Sequence, residues 1–194
     1  MNYLFFDIEC ANCFNNVGKI CEFGYVLTDE NLSVIDSGIF LINPDAEFDW
    51  YVKHKIISYR IEKYLHSPKY PKIYSTHIKR LLELPDTVYV GHGVKNDIKY
   101  ICDEAKRYSL PQPKINSVDA SIIWKQYHNE SQTRNLKKLV KELEIGNPKS
   151  LHNSEYDAHM TLEYIKIMCK ESELTFAQLI EKYSKNKKKV ALTV

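Results

Sequence analysis

The sequence predicts a single α/β domain, a mixed sheet of about five strands flanked by helices. Three observations carry this expectation. Three β-rich runs, residues 2–8, 19–29 and 33–42, open the chain, separated by short turn-forming stretches. Beyond residue 50 the apolar residues recur mostly at helical spacing, interrupted by two short apolar runs. A length of 194 residues, 44% hydrophobic and 27% charged, suits one sizeable soluble core and is short for two.

The elements follow in order. "NYLFFDI" (2–8) is apolar on both alternating faces and reads as a buried strand. "KICEFGYVLTD" (19–29) and "SVIDSGIFLI" (33–42) are rich in β-branched and aromatic residues, and Asp29-Glu30-Asn31 joins them as a hairpin. Residues 42–48 form a loop, then helices are expected over 50–65 and 70–84, parted by Pro68 and Pro71. "TVYVGHG" (87–93) is a short strand ending in glycines, followed by a helix over 94–108 that stops before Pro111 and Pro113. A strand over 114–119 and helices over 120–128, 133–144 and 155–171 complete the pattern. A meander followed by strand–helix–strand alternation makes strands one to three antiparallel and the later ones parallel. Residues 1–175 are expected to form the domain. Residues 176–194 should add a C-terminal helix and a solvated tail carrying Lys182, Lys185, Lys187, Lys188 and Lys189, not a separate domain.

Composition sets limits on function. No apolar run approaches the ~18–20 residues of a membrane span, and no membrane partner is expected. The first apolar run has no basic segment before it, unlike a secretory signal, so a cytoplasmic location is expected. Five scattered cysteines do not read as a disulfide framework, and "CANC" (10–13) lacks the second pair a zinc site needs. The net charge of +2, from 23 Lys and 4 Arg against 25 acids, is no electrostatic footprint of nucleic-acid binding. Such binding has to be argued from particular residues.

Asp7 and Glu9 are those residues' starting point. Strand alternation puts both on one face at the end of a buried strand. Like charges so placed are costly unless a cation sits between them. Asp97 follows the "VGHG" strand end in the first turn of a helix. In "HNSEYDAHM" (152–160), Asn153 or Ser154 can cap a helix whose first turn carries Asp157, with His152 in the loop five residues ahead. His159 lies further along that helix as a packing or surface residue.

Taken in order, "FFDIECAN", "GHGVKNDI" and "HNSEYDA" resemble the three motifs of the DEDD exonuclease superfamily. A histidine five residues before the last aspartate marks the His-type subgroup, and His152 stands there; the tyrosine of the other subgroup would fall at Asn153, and Tyr156 is out of place for it. The chain therefore resembles the DEDDh 3′→5′ exonucleases, which include the polymerase III epsilon proofreading subunit, ribonuclease T and oligoribonuclease. The resemblance covers about residues 2–170 and implies a ribonuclease H-like fold. It implies two divalent ions, Mg2+ or Mn2+, held by Asp7, Glu9, Asp97 and Asp157, with His152 as general base. It also implies that Cys10, Ala11 and Asn12 line the pocket of the 3′-terminal nucleotide.

The implied reaction is hydrolysis at nucleic-acid 3′ ends that releases 5′-mononucleotides. Single-stranded DNA stands slightly ahead of an RNA-trimming or oligoribonuclease-type alternative. A non-catalytic nucleic-acid-binding copy would be expected to lack at least one of the five motif residues, and all five are present. Where the family often has Asn after the second motif's histidine, this chain has Gly93. No clamp-binding peptide is recognised, since "QLIEKY" (178–183) has Glu181 where leucine is wanted. Oligomeric state is left open.

Overall fold

The sheet is built outward from its first strand. Residues 3–6 are apolar on both faces, so β1 (Asn2–Asn12) takes the centre. It pairs antiparallel with β2 (Lys19–Thr28), which pairs antiparallel with β3 (Val34–Leu41). On its other side β1 runs parallel to β4 (Thr87–Gly91), and β4 to β5 (Ser117–Asp119). The order is β3-β2-β1-β4-β5, the mixed five-stranded sheet of a ribonuclease H-like fold. This computed structural model describes residues 1–184.

Strand alternation divides the core in two. Tyr3 and Phe5 face a cluster with Ile123 and Trp124 of α5 (Ala120–Tyr127), Leu162 and Ile165 of α7 (Ser154–Ser172), and Phe176 of α8 (Phe176–Tyr183). Leu4, Phe6 and Ile8 face Ile20, Phe23, Ile78 and Ile101 on the opposite side. There the helical stretch 70–82 comprises α2 (Tyr70–Ile73), a π-helical turn (Tyr74–Ile78) and α3 (Lys79–Leu82), and is joined by α4 (Lys95–Arg107). Asp7 and Glu9 continue the parity of Tyr3 and Phe5, which turns them toward the α7 side. Phe176 packs on Tyr3 and Phe5 at ring distances of 4.8 and 5.9 Å, so α8 is built into the same core.

Several expected bounds shift. The first strand runs on to Asn12, and the strand expected over 114–119 forms only as Ser117–Asp119. The helix expected over 133–144 is the shorter α6 (Leu136–Glu142), capped by Asn135, whose side chain accepts from Lys138 N. The helix expected over 50–65 does not form as one. A π-helical turn (Val52–Ile56) opens at Ile57 (ψ 137°), and the chain stays extended at Arg60 (ψ 141°) before α1 (Ile61–Leu65). Tertiary packing overrides the periodicity: Ile57 and Tyr59 settle against buried Ala11, Cys21 and Tyr64. Lys185, Lys187, Lys188 and Lys189 of the expected tail lie outside the described residues.

Candidate active site

The site forms where β1 loses one of its neighbours. Parallel pairing with β4 runs from Asn2–Thr87 to Phe5–Val90, and β4 ends at Gly91. β1 continues, held from one side by β2, with Asp7 opposite Gly24 and Glu9 opposite Glu22. The two carboxylates therefore do not mark the end of the strand, as expected from sequence. They mark the end of its parallel pairing.

Gly91-His92-Gly93 turns β4 into α4. Gly93 has φ +72°, a left-handed conformation that glycine adopts freely and asparagine, common here in the family, tolerates. Its N–H donates to Asp119 Oδ1 (3.0 Å), the N-cap of α5. His92 is pinned between the Tyr164 hydroxyl (3.0 Å) and the Arg134 carbonyl (2.9 Å), and burial lowers its pKa. This bracing sets the first turn of α4, which carries Asp97.

The third motif arrives on α7. Asn153 caps the helix, its side chain accepting from Tyr156 N. Gly24 lets the helix start directly on the sheet: a Cβ there would lie 2.0 Å from Glu155 N. Ser154 then donates through its N–H and its hydroxyl to buried Glu22 Oε2, both at 3.3 Å. Asp157, one turn on, is buried beside β1. His152 precedes the helix with φ +72°, a sparsely populated conformation for a non-glycine residue. Two contacts hold it: its N–H donates to Asp157 Oδ2 (3.2 Å), and its carbonyl accepts from Ser58 Oγ (2.9 Å). Its Nδ1 stands 3.6 Å from Glu9 Oε1.

Charge is concentrated here at a cost. Burial, then the charges of Asp97, Glu9, Asp157 and Glu22, push Asp7 well above the usual carboxylate range. Burial raises Asp97 and Asp157 to about 7. Glu22 is pushed up to about 7, again chiefly by burial. Interaction with Glu9 raises His152 above its ordinary value. Asp157 Oδ1 is enclosed without a hydrogen-bond partner, the kind of orphaned acceptor that a cation satisfies. Glu9, His152 and Asp157 offer ligand atoms within 4.8 Å of one another. Hard carboxylate oxygens around an orphaned acceptor fit a divalent ion such as Mg2+ or Mn2+. Asp7 and Asp97 lie outside that tight trio, close enough for the Glu9 charge to help raise both.

The residues expected to line a nucleotide pocket are partly committed elsewhere. Ala11 is fully enclosed, and Asn12 is buried with its amide donating to the Glu47 carbonyl (2.5 Å). Cys10 is half-buried. The Tyr156 hydroxyl accepts from Asn147 N (2.7 Å), away from the carboxylates. Glu22, Gly24, Ser58 and Asp119 escaped sequence reasoning. Only Glu22 left a signal, a lone acid inside an otherwise apolar strand.

The profile of the family described as "DNA polymerase III subunit epsilon-like, C-terminal domain" (DEDDh_C) matches residues 49–168. The chain belongs to the DEDDh exonuclease family. Among its relatives is the PolC-type DNA polymerase III of Ureaplasma parvum serovar 3, 26% identical over 168 residues. That match takes in 86% of this chain and 11% of the polymerase. The fold is similar to that of E. coli exonuclease I. The zinc-bound complex of that protein with single-stranded DNA superposes with TM-score 0.74 and 16% identity over 93% of this chain and 42% of that one. Its complex with a dA16 oligonucleotide gives TM-score 0.74 and 14% identity over the same shares. The chain thus spans about two fifths of exonuclease I and about a tenth of the polymerase.

Proposed function

We propose that this chain is a divalent-metal-dependent 3′→5′ exonuclease that releases 5′-mononucleotides from single-stranded DNA. One observation carries the reading: Glu9 of the first motif and His152 and Asp157 of the third converge around Asp157 Oδ1, a buried acceptor with no protein partner, and the charge of Asp97 from the second motif reaches Asp7 beside them. The exonuclease I complexes with single-stranded DNA support the choice of substrate.

Asp7, Glu9, Asp97 and Asp157 would hold two Mg2+ or Mn2+ ions, which when bound neutralise phosphate charge and activate water for in-line attack. The protein's own part is positional. β1 fixes Asp7 and Glu9 on one face, and α7 brings Asp157 to them over Gly24. His152 is the general base. Glu9 engages Nδ1, which leaves Nε2 to take the proton of the attacking water. The strained backbone at His152 holds the imidazole at the rim, on the solvent side of Asp157.

The test is degradation of matched single-stranded DNA and RNA labelled at either end, with Mg2+ or Mn2+ and with excess chelator. Loss from the 3′ end, dependent on metal and abolished by Asp157→Asn, is expected. Undiminished cleavage in chelator, or degradation from the 5′ end, would overturn the reading. Faster loss of RNA would move the substrate to the RNA-trimming alternative.

A further inference from the structure

A strap of residues 47–58 is tied to the site at three points. Asn12 Nδ2 donates to the Glu47 carbonyl (2.5 Å), and Asp49 N donates to the Ala11 carbonyl (2.9 Å). Ser58 Oγ donates to the His152 carbonyl (2.9 Å). The strap therefore runs from the end of β1 to the histidine loop. Between its anchors Asp49 Oδ1 accepts from Tyr51 N (2.8 Å) and Val52 N (3.3 Å), which starts a tight helical turn.

The outward side of this turn is aromatic and cationic. Trp50 is 67% exposed and Tyr51 58%, among the most exposed large apolar side chains described. Trp50 stacks on His54 at 4.8 Å, and His54 Nδ1 meets the Trp50 carbonyl at 2.7 Å, which fixes the ring pair to the turn. Lys53, Lys55 and Arg60 are exposed nearby, and none pairs with a carboxylate among the described residues. An exposed indole costs hydration free energy and contributes nothing to the core. Aromatic rings interleaved with unpaired cations are what a sequence-tolerant single-strand site requires, because every base has a π-face and every linkage a charge.

Asp49 is bonded to Ala11, two residues past Glu9, so Trp50 stands beyond the carboxylates along β1. We propose that Trp50, backed by His54, is a stacking platform for a base upstream of the 3′-terminal nucleotide, with Lys53 and Lys55 engaging the adjoining phosphates. The proposal rests on the exonuclease reading for its direction along the strand.

The chain has two tryptophans, and Trp124 is buried at 3% exposure, so a change in indole emission on binding reports Trp50. The experiment titrates wild type and variants, in chelator, with oligothymidylate about 12 nucleotides long and with an abasic strand of equal length. Oligothymidylate should quench the emission. Trp50→Ala should weaken its binding about 5- to 150-fold, the usual worth of one stacked base. The loss should be much smaller on the abasic strand, and Trp50→Phe should recover part of it. Ile35→Ala, which removes an exposed apolar side chain from β3, should bind as wild type. Equal affinity of wild type and Trp50→Ala for oligothymidylate, or an equal loss on both strands, would overturn the platform. Quenching without cleavage after Mg2+ is restored would instead overturn the nuclease reading and leave the platform standing.

Discussion

Replacing Glu22 by glutamine removes a negative charge from beneath the site and keeps the side chain's shape. Glu22 is fully enclosed. One oxygen accepts from the Tyr64 hydroxyl, the other from Ser154 N and Oγ. Glutamine can satisfy the same partners, with its carbonyl toward Ser154 and its amide toward the Tyr64 oxygen. The magnitude follows from the carboxyl's pKa, raised by burial from 4.5 to about 7. The folded state keeps a proton that the unfolded chain releases near 4.5. Stability therefore falls as pH rises from about 4.5 through about 7, and the full penalty is present above that. That gap corresponds to about 3 kcal/mol at ~1.4 kcal/mol per unit.

Glutamine has no proton to lose, so the variant should gain about 3 kcal/mol relative to wild type between about pH 4.5 and pH 8. Exchanging the protonated acid for an amide adds a cost of about 1 kcal/mol that does not vary with pH. Asp7 and Asp157 also feel the Glu22 charge, so its removal relieves them at high pH and adds to the gain in the same direction. Urea unfolding in excess chelator at about pH 5 and about pH 8 measures it, with wild type and variant run in parallel. A difference between the two proteins that is the same at both pH values would refute the account of Glu22 as a buried, proton-holding acid.

Gly24→Ala should destabilise the fold by about 1–3 kcal/mol and slow turnover, although it removes no functional group. Its Cβ would meet backbone atoms of Ser154 and Glu155 at 2.0–2.1 Å, and α7 would have to retreat with Asp157; an unchanged melting temperature with full activity would show otherwise. His152→Ala should lower kcat about 10²–10⁴-fold with little change in the metal-induced thermal shift, and near-normal turnover would remove it as the base. In the metal-free wild type, NMR titration should place the His152 pKa above the ordinary 6.5, with Glu9→Gln lowering it. A histidine so raised stabilises the fold fully below its unfolded pKa, and the contribution is lost as pH rises through the folded value.

The sheet and the face shared by Asp7 and Glu9 were legible because both rest on short-range rules, whereas the grouping of the motifs rests on the family resemblance. Alternation along "LFFDIE" fixes which face Asp7 and Glu9 share, and the structure aligns that face with Tyr3, Phe5 and α7. A polar residue before an apolar helix predicts a cap, and Asn153 supplies it. What stayed hidden depends on contacts far apart in sequence. Glu22 takes its meaning from Tyr64 and Ser154, 42 and 132 positions away. Gly24 looks like any strand glycine until the first turn of α7 lies on it. The strap reads as part of a helix because Ile57, Ile61 and Leu65 recur at every fourth position. The apolar surface of Ile57 and Tyr59 is instead claimed by Ala11, Cys21 and Tyr64.

These hidden contacts share a physical purpose. A buried carboxylate cluster is unfavourable on its own, and the metal-free chain meets that cost by protonation, since Asp97, Asp157 and Glu22 all sit near 7. A cation would remove the need for those protons and release them, so metal affinity should rise with pH across the same range. The framework around the acids has to keep its shape through that change. It does so in part with groups that carry no charge of their own: the Gly24 contact and the Ser58 hydroxyl on the His152 carbonyl. Ser58 belongs to the same strap that presents Trp50, so one segment holds the histidine's backbone and displays the exposed indole. Binding a strand on that surface would then bear directly on the loop that carries His152.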